Sequence, residues 1–130
     1  MTADLRRSVR YADFLPISVT VGNISDDMIL AGPFSARIVD ISHHGACLLF
    51  TQVHLHSFHI FHSTRENEQA ILHLQIQPPH TRNAIIIPAQ PVWLHTEEAG
   101  GVKVFRIGVD FASAIDTALL QKINKMVNKI

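Results

Sequence analysis

The stretch AIIIPAQPVWLHTEEAGGVKVFRIGVDF (84–111) decides the fold. Its first part, 84–95, is long and rich in β-branched and aromatic residues. The chain then breaks at EEAGG (97–101) and returns through VKVFRIGVDF (102–111). Two β-rich runs around a glycine-bearing loop predict an antiparallel hairpin. Pro88 and Pro91 fall inside the first run and imply a sheet edge or a bulge, because proline cannot donate to a ladder.

The same pattern extends toward the N-terminus. AILHLQI (70–76) alternates, with Ile71, His73 and Gln75 on one face and Leu72, Leu74 and Ile76 on the other. PPHTRN (78–83) reads as a turn. LPISVTV (15–21), FSARIVDI (34–41) and GACLLF (45–50) are three further strands, and NISDD and AGPF between the first two read as turn material. Six short strands predict an all-β chain closed as a small antiparallel barrel or packed as a sandwich. The pattern changes only near the end. Ile115, Leu119, Leu120, Ile123, Met126, Val127 and Ile130 recur at helical spacing, which predicts an amphipathic helix packed on the sheet. Ser113 or Asp116 would cap its start, and Lys122, Lys125 and Lys129 suit its C-terminal end. Residues 51–69 form the least regular stretch.

A chain of 130 residues fits one domain, and 47% hydrophobic content argues against disorder. Eleven cations balance eleven anions, which argues against a duplex-DNA binder with a broad basic face. The start, MTADLRRSVR, lacks the apolar run of a secretory signal. AIII (84–87) is far too short to span a bilayer, so no membrane insertion is expected and the cytoplasm is the expected location. Cys47 is the sole cysteine, which rules out an internal disulfide; its neighbours ACLLF suggest a buried strand thiol.

Against this neutral background the chain opens LRRSVRYADF (5–14). Arg6, Arg7 and Arg10 concentrate positive charge in one short segment, which points to an anionic partner. The second chemical feature is DISHHG (40–45). Asp40 and Ser42, two apart at a strand end, project from the same face. Gly45 follows where the chain turns, a place where glycine supplies dihedrals forbidden to other residues.

RRSVR resembles the RRxxR motif of PilZ domains, the bacterial receptors for cyclic di-GMP, and DISHHG resembles that family's [D/N]xSxxG motif. VWLH and FRIGVDF are similar to its closing strands. The resemblance covers essentially the whole chain. It implies a six-stranded antiparallel (Greek-key) β-barrel with a C-terminal helix over about residues 115–129. It divides the chain into a flexible arginine-bearing segment (1–12) and the barrel with its helix (13–130). It also implies the ligand and its contacts: cyclic di-GMP held by Arg6, Arg7, Arg10, Asp40, Ser42 and Gly45. Arginine's planar fork suits guanine O6 and N7 and pairs with phosphate. A carboxylate at Asp40 accepts from guanine N1–H and N2–H₂. The arginines would then act as a clasp over a ring-shaped dianion, and the altered surface would regulate a protein target.

Other readings find less support in the residues. No nucleophile elbow, triad or phosphate loop is present, so an enzyme is not expected. An OB-like barrel for single-stranded nucleic acid would need a basic groove with exposed aromatics; neither DNA nor RNA is expected as a partner. A PilZ-like adaptor that binds protein rather than nucleotide is the closest alternative. His54, His56, His59 and His62 invite a metal reading. No single regular element presents all four: His54 and His56 would share a strand face, and His59 and His62 a helical one. No metal and no other cofactor is therefore expected.

Overall fold

The computed structural model describes residues 14–128. Six long strands close into an antiparallel barrel: β1 (Leu15–Asn23), β2 (Ile29–Ile41), β3 (Gly45–Phe50), β6 (Ala70–Ile76), β7 (Ile85–Ala99) and β8 (Val102–Phe111). Their order around the barrel is β1-β2-β3-β8-β7-β6, and β1 pairs with β6 to close it. Between β3 and β6 lie a two-stranded hairpin, β4 (His54–Leu55) with β5 (Phe58–His59), and a short helix, α1 (His62–Glu66). The last described element is α2 (Thr117–Asn128). No helix among the described residues is long and apolar enough to cross a membrane.

Alternation builds the core. Val19, Val21, Ile38, Leu48, Leu72, Leu74 and Ile107 are fully buried inside the barrel. The faces expected for 70–76 are observed: Leu72, Leu74 and Ile76 point in, while Ile71, His73 and Gln75 are more exposed. The helix packs on this core through Ile123, with Leu119 and Leu120 alongside, and Ile115, just before its start, is buried in the same cluster, as the spacing predicts. Asp116 is its cap, since its carboxylate accepts from the Leu119 N–H at 2.8 Å; Ser113 does not serve.

Three local expectations change. AGPF is not a turn, because β2 starts at Ile29 and runs through it; the turn is confined to the residues just before. EEAGG is mostly strand. Ala99 pairs with Val102, which leaves Gly100 and Gly101 as a two-residue loop with φ of 61° and 81°. That double left-handed geometry is the one glycine adopts without strain. His54 and His56 share no strand face either. His56 sits in the β4–β5 turn at φ 56°, and His54 pairs instead with His59.

Two bulges reverse the facing of side chains on the barrel wall. Regular alternation from inward Ile38 would send Asp40 into the core. A register shift between Ile38 and Asp40 reverses the phase, so Asp40 faces outward opposite Cys47 while Ile41 turns in. In β7, alternation from buried Ala89 would bury Trp93. The shift between Pro91 and Trp93 turns the indole outward and Leu94 toward the core. The bulge predicted from the prolines is therefore present at Pro91. Pro88 pairs with His73 inside a closed barrel, so no sheet edge is involved.

Candidate functional site

The outward-turned Asp40 and Trp93 converge on one cavity of about 310 Å³. Ser42, Gly45, Cys47 and Asp110 line it with them. The structure thus brings together Asp40, Ser42 and Gly45, the three residues of the second motif. Arg6, Arg7, Arg10 and the whole segment 1–12 lie outside the described residues.

The turn 42–45 is held from both sides. Ser42 N–H donates to the Gly45 carbonyl at 2.9 Å, and its hydroxyl to the same oxygen at 3.3 Å. The His44 N–H reaches back to the Ser42 hydroxyl at 3.4 Å. The outer side of the turn is tied to the C-terminal segment. Phe111 N–H donates to the His44 carbonyl at 2.8 Å and Ile115 N–H to the His43 carbonyl at 2.9 Å. The His43 ring lies 3.3 Å from the hydroxyl of Thr117, the first residue of α2. Two of the motif's variable positions therefore anchor the turn, His44 to the end of β8 and His43 to the start of α2 and the residues just before it.

Gly45 has a different rationale from the one its position suggests. Its φ is not in the left-handed region. Its need is steric, because a Cβ there would overlap the carbonyl oxygen of Val109 on the paired strand β8. Gly108 has the same kind of constraint with a different neighbour: a Cβ would overlap the Trp93 indole, which lies across the glycine. Trp93 is 46% exposed and forms a flat aromatic wall.

Cys47 is not the buried core thiol its neighbours suggest. The inward side chains of β3 are Leu48 and Phe50, and Cys47 points outward, half-buried, into the cavity. Burial pushes its thiol above the ordinary value, and a hydrogen bond from Arg106 opposes this only in part. Arg106 is itself paired with Glu97 at 2.5 Å. Burial weakens the protonated guanidinium, but the hydrogen bonds and charges of Glu97 and Cys47 together outweigh that loss and raise its pKa.

The cavity walls carry two carboxylates, Asp40 and Asp110, and no lysine or arginine. They can accept hydrogen bonds from amide-like donors and stack a planar ring on Trp93. They cannot by themselves hold an anion. Trp93, Asp110 and Cys47 were not foreseen as site residues. Spacing alone could not reveal Trp93, since the bulge reverses its face. Asp110 had a readable signal, an acid at an outward position of VKVFRIGVDF.

The histidines form a separate group. The His59 ring meets His54 edge to face, with centroids 4.6 Å apart, and lies tilted against His62 at 4.4 Å. Its Nδ1 accepts from the Phe61 and His62 N–H groups at 3.0 and 3.1 Å, and its backbone N–H donates to the Ser63 hydroxyl. His59 therefore caps α1 as a neutral imidazole. Burial, then the His62 and His54 charges, lower its pKa below 6.5. Among the described residues no group of three histidine, cysteine or acidic side chains is arranged to hold a metal ion.

The family model of the PilZ domain matches residues 4–129. No curated protein sequence matches the chain. Among solved structures, the fold is similar to the crystal structure of the Borreliella burgdorferi PlzA protein in complex with c-di-GMP. The TM-score is 0.52 at 10% sequence identity, covering 98% of this chain and 48% of PlzA. The chain therefore spans about half the length of that protein, and at such low identity the likeness is one of fold.

Proposed function

The chain belongs to the PilZ domain family, and from that premise we propose that it is a non-catalytic cytoplasmic receptor for cyclic di-GMP. The observation that carries the reading is the convergence of Asp40, Ser42 and Gly45 with Trp93 on one cavity. The PlzA likeness, to a protein solved with c-di-GMP, agrees with it.

The charge distribution supports a division of labour. Asp40 and Asp110 supply acceptors for the N1–H and N2–H₂ donors of guanine. Trp93 supplies a stacking face. The same carboxylates repel a dianion, so the phosphates need cations from outside these walls. Arg6, Arg7 and Arg10 are the candidates, bound bidentately to phosphate or to guanine O6 and N7. Gly45 lets β8 approach closely and keeps the rim free of a side chain. Ser42 is occupied with its own turn at 3.3–3.4 Å, long enough to exchange for a ligand contact.

The output follows from the anchoring of that turn. A ligand seated on 42–45 bears on the hydrogen bonds that tie His44 to the end of β8 and His43 to Ile115 and Thr117 at the entry to α2. Closure of the arginine segment and a shift of this junction would together change the surface offered to a protein target.

Thermal unfolding with cyclic di-GMP, with short oligonucleotides, and with neither tests the reading. Ligand at a hundred times Kd should stabilise the fold by about 2.7 kcal/mol. Only cyclic di-GMP should raise Tm. No shift with it would favour the adaptor, and a shift with oligonucleotides would favour a nucleic-acid barrel.

A further inference from the structure

The β1–β2 hairpin lies at the end of β2 remote from Asp40, since β2 runs from Ile29 to Ile41. It carries the two most exposed large apolar side chains among the described residues, Ile29 and Met28, and two more beside them. Met28 and Ile29 are 64% and 67% exposed, Ile24 51% and Leu30 39%. None of them serves the core, and contiguous exposed apolar surface of this kind marks contact sites. The hairpin is well built. Asn23 N–H donates to the Met28 carbonyl at 2.8 Å, and Met28 N–H to the Asp26 carboxylate at 3.1 Å. Beside Ile29 and Leu30 a groove of about 610 Å³ opens, with Leu55, His56 and Phe58 on its far side.

The rim of this surface is acidic. Asp26 and Asp27 sit in the hairpin itself. Ile24 N–H donates to the Gln69 carbonyl at 2.7 Å, which ties the hairpin to 66–69, where Glu66 and Glu68 are exposed. Segments 24–30 and 66–69 together hold four carboxylates and no lysine or arginine. Neighbouring Arg65 is directed elsewhere, with its guanidinium donating to the Pro91 carbonyl at 2.8 Å. No residue here lines the Asp40 cavity.

An apolar floor with an acidic rim complements a segment that is apolar on one face and basic on the other. The apolar contact supplies affinity, and the charges set orientation and on-rate. The lysine-bearing α2 of a second copy is a poor occupant, because its apolar side chains are already committed to its own barrel. We propose that the β1–β2 hairpin and the adjoining groove form the docking surface for a basic amphipathic segment of a partner protein. The surface stands independently of nucleotide binding, since the two sites share no residue.

The test uses a short fluorescein-labelled amphipathic peptide of leucine and lysine, with a leucine–glutamate peptide as control. Anisotropy is measured with the full chain at low and moderate salt. The lysine peptide should bind saturably and the glutamate peptide should not. Met28→Ser with Ile29→Ser should weaken binding about tenfold or more. Asp26→Asn with Asp27→Asn should weaken it at low salt and flatten its salt dependence. Asp40→Ala should bind the peptide as wild type does. Circular dichroism checks that each variant is folded. Absence of saturable binding, or binding that the folded hairpin variants retain in full, would overturn the proposal. So would a wild-type dimer in sedimentation that the Met28→Ser, Ile29→Ser variant converts to monomer, because the surface would then belong to a second copy.

Discussion

Gly45 and Gly108 are both too crowded for a side chain, but alanine should fail at the two positions in different ways. A Cβ at Gly45 overlaps the Val109 carbonyl oxygen, a backbone atom fixed in the β3–β8 ladder. Neither partner can move without separating the strands. Forcing such an overlap costs about 1–3 kcal/mol. For a domain of this size each kcal/mol lowers Tm by roughly 4 °C, so Gly45→Ala should melt roughly 4–12 °C lower. A Cβ at Gly108 instead overlaps the indole of Trp93, a half-exposed side chain on the outside of the barrel that can swing outward. Gly108→Ala should therefore lose less stability, within about 1 kcal/mol. Its damage falls on the cavity, which loses its aromatic wall. Scanning calorimetry reads the first effect. Trp93 is the protein's one tryptophan, so its fluorescence spectrum reads the second, with a red shift in Gly108→Ala. Equal destabilisation of the two variants, with an unmoved emission maximum in Gly108→Ala, would refute the reasoning.

Three further outcomes are expected at the site and in its surroundings. His59 has a lowered pKa in the fold, so between that value and its ordinary 6.5 the unfolded chain binds the extra proton. Stability is then full above the ordinary value and falls as pH drops through the native one. Wild type should lose more Tm than His59→Gln between neutral pH and pH 5, and equal losses would contradict the capping role. Cys47, held protonated by burial, should alkylate slowly at neutral pH and faster only above the ordinary thiol value. Cyclic di-GMP should slow it further, and rapid alkylation unaffected by nucleotide would place the thiol outside the site. Asp110→Asn replaces one acceptor oxygen beside Asp40 by an amide donor and removes the charge. It should weaken nucleotide binding by about 1 kcal/mol without lowering Tm, as titration and melting would show, and wild-type affinity would exclude Asp110 from the site.

Most of the barrel was legible because its strands obey a period of two. The hairpin 84–111, the alternating 70–76 and the helical spacing after Ile115 each find their element in the structure. Apart from the bulge that Pro91 signals, what escaped were the places where the period breaks. AGPF resembles a turn by composition, yet the pairing of β2 with β1 runs through it with register shifts. Asp40 was legible as a motif residue, but the bulge that turns it outward depends on pairing with β3 and leaves no mark in a single sequence. Trp93 was hidden although Pro91 signals a bulge, because proline does not say how the bulge resets the facing of the residues after it. Gly45 was legible as required, but for the wrong cause. The close approach comes from β8, far along the chain, and is a tertiary fact. Cys47 was misread because an apolar neighbourhood in sequence does not say which face of a strand is the inner one.

We propose that this PilZ domain reads cyclic di-GMP by shape and hydrogen bonding rather than by charge alone. Isothermal titration calorimetry with wild type, Asp40→Ala and the single lysine replacements of Arg6, Arg7 and Arg10, at two salt concentrations, tests it most directly. Lysine keeps the charge and loses the planar fork. Loss of one bidentate contact should cost roughly 1–3 kcal/mol, or about five- to a hundredfold in affinity. Wild type should bind saturably. Asp40→Ala should show a comparable loss with the fold retained, and at least two of the lysine variants should bind clearly more weakly at both salts. Lysine and Asp40→Ala variants that bind as wild type, or a wild-type protein that gives no binding heat, would contradict it.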